Sequence, residues 1–371
     1  MSPKKKSRER EAATERWVNL AGVETLAKRR LRRAYFDYYA GGAEDERTLA
    51  RNLEAFERFV LLPRVLVDVS RVDLATEILG ARVGLPIALA PAAYHRLAHP
   101  DGELATARAA GRAGALMVVS TLATRSVEEI AASAGGPLWF QLYVFRDRSL
   151  SQRLIARAEE AGYRAICLTV DTPRLGQRER DVRSGFKLPR GVTIRNYEGL
   201  GEHLTRWDSQ GSMAAYASQQ LNPALTWEAV EWLRTRTRLP VVLKGILRAD
   251  DATRAVEAGA SAVWVSNHGG RQLDGAEAGL LALPAVVEAV AGRAEVYVDG
   301  GFRRGSDALK ALALGARAVM IGRPYLWGLA AGGERGVLRV LEILRAELEL
   351  SMALAGCPTI GSIDRSLVSR A

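Results

Sequence analysis

The sequence predicts an α/β chain folded as a (β/α)8 TIM barrel, with an N-terminal helical extension and a long lid loop after the fourth strand. Three observations carry this. From residue 86 onward, short apolar runs alternate with amphipathic Ala-rich stretches, the pattern of repeated βα units. Eight such runs occur, each almost continuously apolar, as parallel strands covered on both faces must be. Two helix-to-strand junctions nearly repeat, Glu257-Ala258-Gly259-Ala260 and Ala313-Leu314-Gly315-Ala316, with Gly placed to end the helix in a left-handed C-cap. A doubly wound open sheet is the competing arrangement.

Residues 11 to about 60 read as a helical preface carrying the aromatic cluster Tyr35-Phe36-Asp37-Tyr38-Tyr39. The strands are expected at Pro86 to Ala92, Leu116 to Thr121, Leu138 to Val144, Ala165 to Val170, Val241 to Gly245, Ala262 to Asn267, Glu295 to Gly300 and Ala318 to Gly322. Helical patterns follow them in turn, at Leu104 to Ala113, Ser126 to Ala134, Leu150 to Ala161, Trp227 to Thr237, Asp250 to Ala258, Leu283 to Ala291, Ser306 to Leu314 and Arg335 to Met352. Residues 172 to 223 are too long and too polar for a simple connection. Their place after a strand marks them as a lid. The chain is thus read as one domain over residues 1–371, with a basic tail and helix at 1–33 and the barrel at 86–352.

The 371 residues are 48% hydrophobic and 25% charged, which excludes a disordered or fibrous chain. Of the net charge of +10, seven units lie in residues 1–33, where eleven Lys and Arg meet four Glu. The remaining body is near neutral, so no nucleic-acid partner is expected and the tail reads as a solvated arm. Cys167 and Cys357 stand in no metal or redox spacing, which fits a reducing cytoplasm and no metal centre. The segment Lys4-Lys5-Lys6-Ser7-Arg8-Glu9-Arg10 lacks the apolar core of a signal peptide, and no run is long enough to span a bilayer. A soluble protein without membrane attachment is expected.

In such barrels the residues just beyond the strands face the active site. Here they are Pro91-Ala92-Ala93, Ser120-Thr121, Gln141 with Tyr143, Thr169 with Asp171, Lys244-Gly245, Ser266 to Arg271, Asp299-Gly300-Gly301 and Gly322-Arg323. The loops after strands seven and eight, Gly300-Gly301-Phe302-Arg303-Arg304-Gly305 and Gly322-Arg323-Pro324, offer backbone N–H groups, helix starts and fixed positive charge to a phosphate. Glycines also make tight turns, but two such loops at these two strands point to an anion. His268 lies beyond a strand, three residues before Arg271, with Asp171 available from strand four: a general base, an orienting carboxylate and a cation. The bland alternatives are a structural histidine and, for Asp171, an Asx turn before Pro173.

Together these residues resemble the FMN-dependent α-hydroxy acid oxidase and dehydrogenase family, which includes glycolate, lactate and 4-hydroxymandelate oxidases. Ser266-Asn267-His268-Gly269-Gly270-Arg271-Gln272-Leu273-Asp274 is similar to that family's active-site signature, and the likeness runs from Asp37-Tyr38-Tyr39-Ala40-Gly41-Gly42-Ala43 to the last barrel helix. The resemblance implies that His268 removes a substrate proton with Asp171 as partner, that Tyr38, Arg178 and Arg271 hold the substrate carboxylate, and that Tyr143 bonds the hydroxyl oxygen. Without it, Tyr38 reads as a core aromatic and Arg178 as a solvated loop charge. Ala93 and Leu122 would flank the substrate. Pro91, Ala92, Ala93, Ser120, Gln141, Thr169 and Ser266 would contact the flavin ring, Lys244 its N1 and O2 edge, and Asp299, Gly300, Gly301, Arg303, Gly322 and Arg323 the ribityl phosphate.

The implied reaction takes an L-2-hydroxy acid to the 2-oxo acid, with dioxygen reoxidising FMN to give hydrogen peroxide. Hydride transfer and a carbanion route both remain open, as do dehydrogenase and monooxygenase variants. Family likeness implies a homotetramer. Glycolate-using members carry a tryptophan after the strand-two Ser pair, where this chain has Leu122, leaving room for a mandelate-like or medium-length side chain, with lactate next. The runs Ala90 to Leu97 and Val242 to Leu247 are also closer to the hydroxymandelate oxidases. Membrane-bound mandelate dehydrogenases have an apolar insertion in the long loop; here that loop holds Arg190, Arg195, Glu198, Glu202, Arg206 and Asp208. A non-redox lyase or isomerase acting on a phosphorylated metabolite through Lys244 is the rival reading.

Overall fold

A computed structural model describes residues 14–198 and 221–371. The eight expected runs form one closed, all-parallel barrel in sequence order: β1 (Ile87–Leu89), β2 (Met117–Ser120), β3 (Leu138–Leu142), β4 (Ile166–Thr169), β5 (Val241–Ile246), β6 (Ala262–Val265), β7 (Glu295–Asp299) and β8 (Ala318–Ile321), with β8 pairing back onto β1. The open-sheet alternative is thereby excluded. Helices α1 (Glu103–Arg112), α2 (Val127–Ser133), α3 (Arg148–Glu160), α4 (Glu228–Arg234), α5 (Ala249–Glu257), α6 (Gly279–Val290), α7 (Gly305–Ala313) and α8 (Arg323–Leu354) surround it. The expected C-cap glycines Gly259 and Gly315 do adopt positive φ, at 83° and 100°. No helix of the described residues is long and apolar enough to cross a membrane.

Side chains alternate along each strand, which splits the core in two. Val118, Trp139, Cys167, Val242, Trp264, Tyr297 and Met320 fill the barrel, and their neighbours Val119, Phe140, Leu168, Leu243, Val265, Val298 and Ile321 pack outward against the helices. A short antiparallel pair, Thr76–Ile78 with Ala81–Val83, contributes Ile78 and Val83 to the inner cluster. One period above the inner residues stand Ser120, Gln141, Thr169, Lys244, Ser266, Asp299 and Gly322. The same alternation that packs the barrel therefore lifts a polar ring to its C-terminal mouth.

The preface folds as helices Leu20–Arg30, Arg33–Ala40 and Arg47–Glu54, followed by strand Phe59–Leu61, which pairs with the chain's last strand, Val368–Arg370. The last barrel helix comprises two segments that meet at a kink: Gly333 is non-helical at φ 61°, the segment after it begins beside the expected start at Arg335, and an additional segment opening at Arg323 precedes it. The glycines between them permit close approach. A Cβ on Gly328 would lie 2.5 Å from the Gly336 carbonyl oxygen, and one on Gly332 would lie 3.1 Å from Trp17. Of the expected lid, residues 172–198 and 221–223 are described, whereas 199–220, with Glu202, Arg206 and Asp208, and the tail up to residue 13 lie outside the described residues.

Candidate active site

The polar ring closes into two hydrogen-bonded arcs. In one, Ser120 Oγ donates to Gln141 Oε1 at 3.3 Å and Gln141 Nε2 donates to Thr169 Oγ1 at 3.0 Å. In the other, Lys244 Nζ donates to Ser266 Oγ at 2.9 Å, and that hydroxyl donates to Asp299 at 2.9 Å. Burial alone would push the Lys244 ammonium down, but Asp299, 3.5 Å away, and Asp171 hold its pKa above the usual lysine value.

His268 stands beyond β6 in a left-handed conformation, φ 59°, followed by Gly269 and Gly270 in the same region. A non-glycine residue there is strained, and the surroundings hold it. The His268 N–H donates to Ser266 Oγ at 3.0 Å, and Nδ1 meets Asp171 Oδ1 at 2.9 Å. Asp171 fits because of Gly245, at φ 112° in a bulge of β5: a Cβ there would lie 2.7 Å from the Asp171 Cβ. Burial raises the Asp171 pKa, yet His268 and Lys244 outweigh it and bring the carboxyl to about 2. Burial lowers the His268 pKa below the usual 6.5, opposed by Asp171. The imidazole is therefore neutral at pH 7, with Nδ1 toward the carboxylate and Nε2 left to take a proton. Asp171 Oδ2 is buried without a partner among the described residues.

Two cations of the cavity wall, Arg271 and Arg178, come from different loops. Arg271 stacks over the Tyr38 ring with its guanidinium 5.0 Å from the centroid, and Nη1 donates to the Tyr38 and Gly41 carbonyls at 2.6 and 2.9 Å. Burial and the positive charge of Arg178 lower its pKa to about 10. Arg178 Nε is buried with no partner among the described residues. Tyr143 is pushed up to about 12 by burial and the charge on Asp171, so its hydroxyl stays protonated and can donate.

Arg323 opens α8 and donates to the carbonyls of Tyr39, Gly269 and Gly41, each at 2.9 Å, the last being a carbonyl that Arg271 also holds. Burial lowers its pKa to about 9, helped by Arg271 and Arg303. Arg303 is likewise lowered by burial. A Cβ on Gly322 would meet nothing within 4 Å, so the helix start is open to a ligand. Two desolvated guanidiniums beside a free helix N-terminus fit a phosphate dianion.

One cavity, about 1300 Å³ counted out to its solvent mouth, joins these groups. Its wall includes Tyr38, Pro91, Ala92, Ala93, Ser120, Leu122, Gln141, Tyr143, Thr169, Arg178, Lys244, His268, Arg271, Asp299, Gly300, Gly301, Arg303, Gly322 and Arg323. Asp171 and Ser266 stand behind that wall, the first bonded to His268 and the second to Lys244, Asp299 and the His268 N–H. The Arg303 and Arg323 guanidiniums beside the open helix start suit the phosphate of FMN, and Gln141, Thr169 and Lys244 suit the polar edge of its ring, so the residues present fit that group.

Sequence reasoning missed the supports. Asn52 and Asn267 exchange side-chain hydrogen bonds of 3.0 and 2.8 Å, tying the preface to the His268 loop. Asp274 caps helix Arg47–Glu54, accepting from the N–H of Thr48 at 2.7 Å and of Arg47 at 3.2 Å. A Cβ on Gly270 would lie 2.6 Å from the Leu49 nitrogen. Leu175 and Leu221, from the two described ends of the long loop, also reach the cavity. Nothing local announces the asparagine pair.

The family model for FMN-dependent dehydrogenases matches residues 27–370. An L-lactate oxidase of Nostoc sp. is 54% identical over 356 residues, 95% of this chain and 98% of its own. Glycolate oxidase 3 of Arabidopsis thaliana is 50% identical over 349 residues, 94% of this chain and 95% of its own. A solved structure of mandelate oxidase with (S)-4-hydroxymandelic acid is similar at a TM-score of 0.90 and 49% identity, covering 96% of this chain and 99% of that one. With its whole barrel inside these matches, the chain belongs to the FMN-dependent dehydrogenase family.

Proposed function

We infer that the protein is an FMN-dependent oxidase that converts an L-2-hydroxy acid to the 2-oxo acid and passes the electrons to dioxygen, yielding hydrogen peroxide. The observation that carries this is the His268–Asp171 pair, 2.9 Å apart, sharing one cavity with the Arg178 and Arg271 guanidiniums. Arg178 and Arg271 bind the substrate carboxylate, each relieving the other's charge through the anion between them. Tyr143 donates to the hydroxyl oxygen. His268 Nε2 takes the proton, and the Asp171 carboxylate stabilises the imidazolium that results. FMN, when bound, would supply the acceptor for the two electrons of the α-carbon–hydrogen bond, and the Lys244 ammonium would offer it fixed positive charge.

The named relatives are lactate, glycolate and mandelate oxidases. Leu122, Leu175 and Leu221 give this cavity an apolar side, which supports a mandelate-like or medium-length acid first and lactate second. Residues 172–223 act as the lid, with Leu175, Arg178 and Leu221 at the cavity from its two ends. Family likeness supports a homotetramer. Cys167 and Cys357 are both buried free thiols, which fits the cytoplasm.

The lyase or isomerase reading needs a nucleophilic lysine, yet Lys244 is held protonated by Asp299 and Asp171. The test is the visible spectrum of the purified protein and its bleaching under anaerobic conditions by (S)-mandelate or L-lactate, with peroxide formed on admitting air. A colourless protein that FMN does not reconstitute, or a flavin that no 2-hydroxy acid reduces, would overturn the assignment.

A further inference from the structure

Resting on that oxidase reading, we propose that Asn196 is a positioning residue that sets substrate choice: it clamps the end of β2 to the middle of the long loop and so fixes Leu122 in the cavity wall. Asn196 is fully buried although it lies in the most polar connection of the chain. Its Nδ2 donates to the carbonyls of Ser120 at 3.3 Å and Thr121 at 3.2 Å, and its Oδ1 accepts the Val127 N–H at 3.0 Å at the start of α2. One side chain thus holds both ends of the β2–α2 turn.

The clamp is itself braced. The Asn196 carbonyl accepts from Arg157 Nη1 at 2.8 Å, and Arg157 pairs with Glu128 at 2.7 Å. The neighbouring Arg195 N–H donates to the Ala123 carbonyl at 3.1 Å. From the other side the buried Glu103 accepts from the Thr124 N–H at 2.8 Å and the Thr124 hydroxyl at 2.6 Å. The Leu122 carbonyl accepts the Tyr94 N–H at 3.3 Å, and the Leu122 N–H donates to Ser120 Oγ at 3.1 Å. Each residue from Ser120 to Thr124 is therefore fixed by its main chain, and within this frame Ser120 and Leu122 face the cavity. A buried amide that loses its donors leaves the Ser120 and Thr121 carbonyls facing a poorer partner, and the turn relaxes. The motion is carried to the Leu122 methyls, where even one methylene changes discrimination.

The experiment uses the FMN-loaded full chain with Asn196→Asp, which keeps the acceptor and reverses both donors, and Asn196→Ser, which leaves room for water. Two ratios are read: kcat/KM for (S)-mandelate over L-lactate, and the dissociation constants of benzoylformate and pyruvate from their perturbation of the flavin spectrum. The expected result is a shift of about ten-fold in both ratios, with FMN content and the pH profile unchanged. In the Leu122→Ala background the same substitutions should shift neither ratio, because the coupling runs through that side chain. Ratios that move less than about two-fold, or that move equally without Leu122, overturn the proposal. If the wild-type flavin is reduced by no 2-hydroxy acid, the oxidase reading falls. The two oxo-acid dissociation constants still decide the role of Asn196.

Discussion

The two cationic groups that meet at the Gly41 carbonyl are built differently from the same residue type. Arg323 spends three N–H donors on carbonyls of Tyr39, Gly41 and Gly269, so its position is settled before any ligand arrives. Arg271 commits one nitrogen to carbonyls, and the Arg178 Nε faces no partner among the described residues. Burial depresses both Arg323 and Arg271, to about 9 and about 10, and each invites an anion. The contrast separates retention from turnover: a preassembled socket suits a cofactor that stays, whereas donors left open suit a substrate that must leave.

The sharpest break should come at the substrate end. His268→Ala is expected to slow flavin reduction by about 10²- to 10⁴-fold while FMN stays bound, and near-normal reduction in stopped-flow measurements would reject His268 as the base. For Asp171→Asn the expected loss is about 10²-fold, with a shift in pH profile whose sign is fixed. Because the Asp171 charge raises the His268 pKa, its removal lowers that pKa. The acid limb, where activity falls as His268 protonates, then moves to lower pH; movement to higher pH contradicts the pairing.

Exchanging the two arginines tests the comparison itself. Arg271→Met should reduce kcat/KM by about 10- to 10²-fold, the worth of a charged hydrogen bond, with FMN content unchanged. Arg323→Met should do the reverse, weakening FMN retention on dialysis while leaving the KM of the reloaded enzyme within a few-fold. Should both variants lose flavin equally, the division of labour fails. The smallest effect is expected from Leu122→Trp, about ten-fold toward smaller acids in kcat/KM ratios; an unaltered ranking would remove Leu122 from the specificity wall.

Much of this was legible in the sequence because barrels repeat locally. Eight apolar runs in order, and polar residues one step beyond them, are properties of short windows, and Ser266 to Asp274 sits where such a window ends. What escaped depends on contacts between residues far apart along the chain. Asn52 finds Asn267 at a separation of 215 positions, Asp274 caps a helix from the opposite end of the chain, and Gly245 is required by Asp171 on the neighbouring strand. The segment of α8 that opens at Arg323 and ends at the Gly333 kink was hidden because Gly328, Gly332 and Gly333 lower local helix propensity, while the tertiary gain from close packing is invisible along the chain. Asn196 has no hydrophobic period around it, so its burial could not be read.

The reciprocal amide pair of Asn52 and Asn267 has a consequence for how the protein meets acid and alkali. Neither partner ionises, so the bolt between preface and His268 loop carries no proton and releases none. The imidazole of the very next residue can change charge with every swing in the surrounding medium, while the frame that holds it keeps the same two hydrogen bonds throughout.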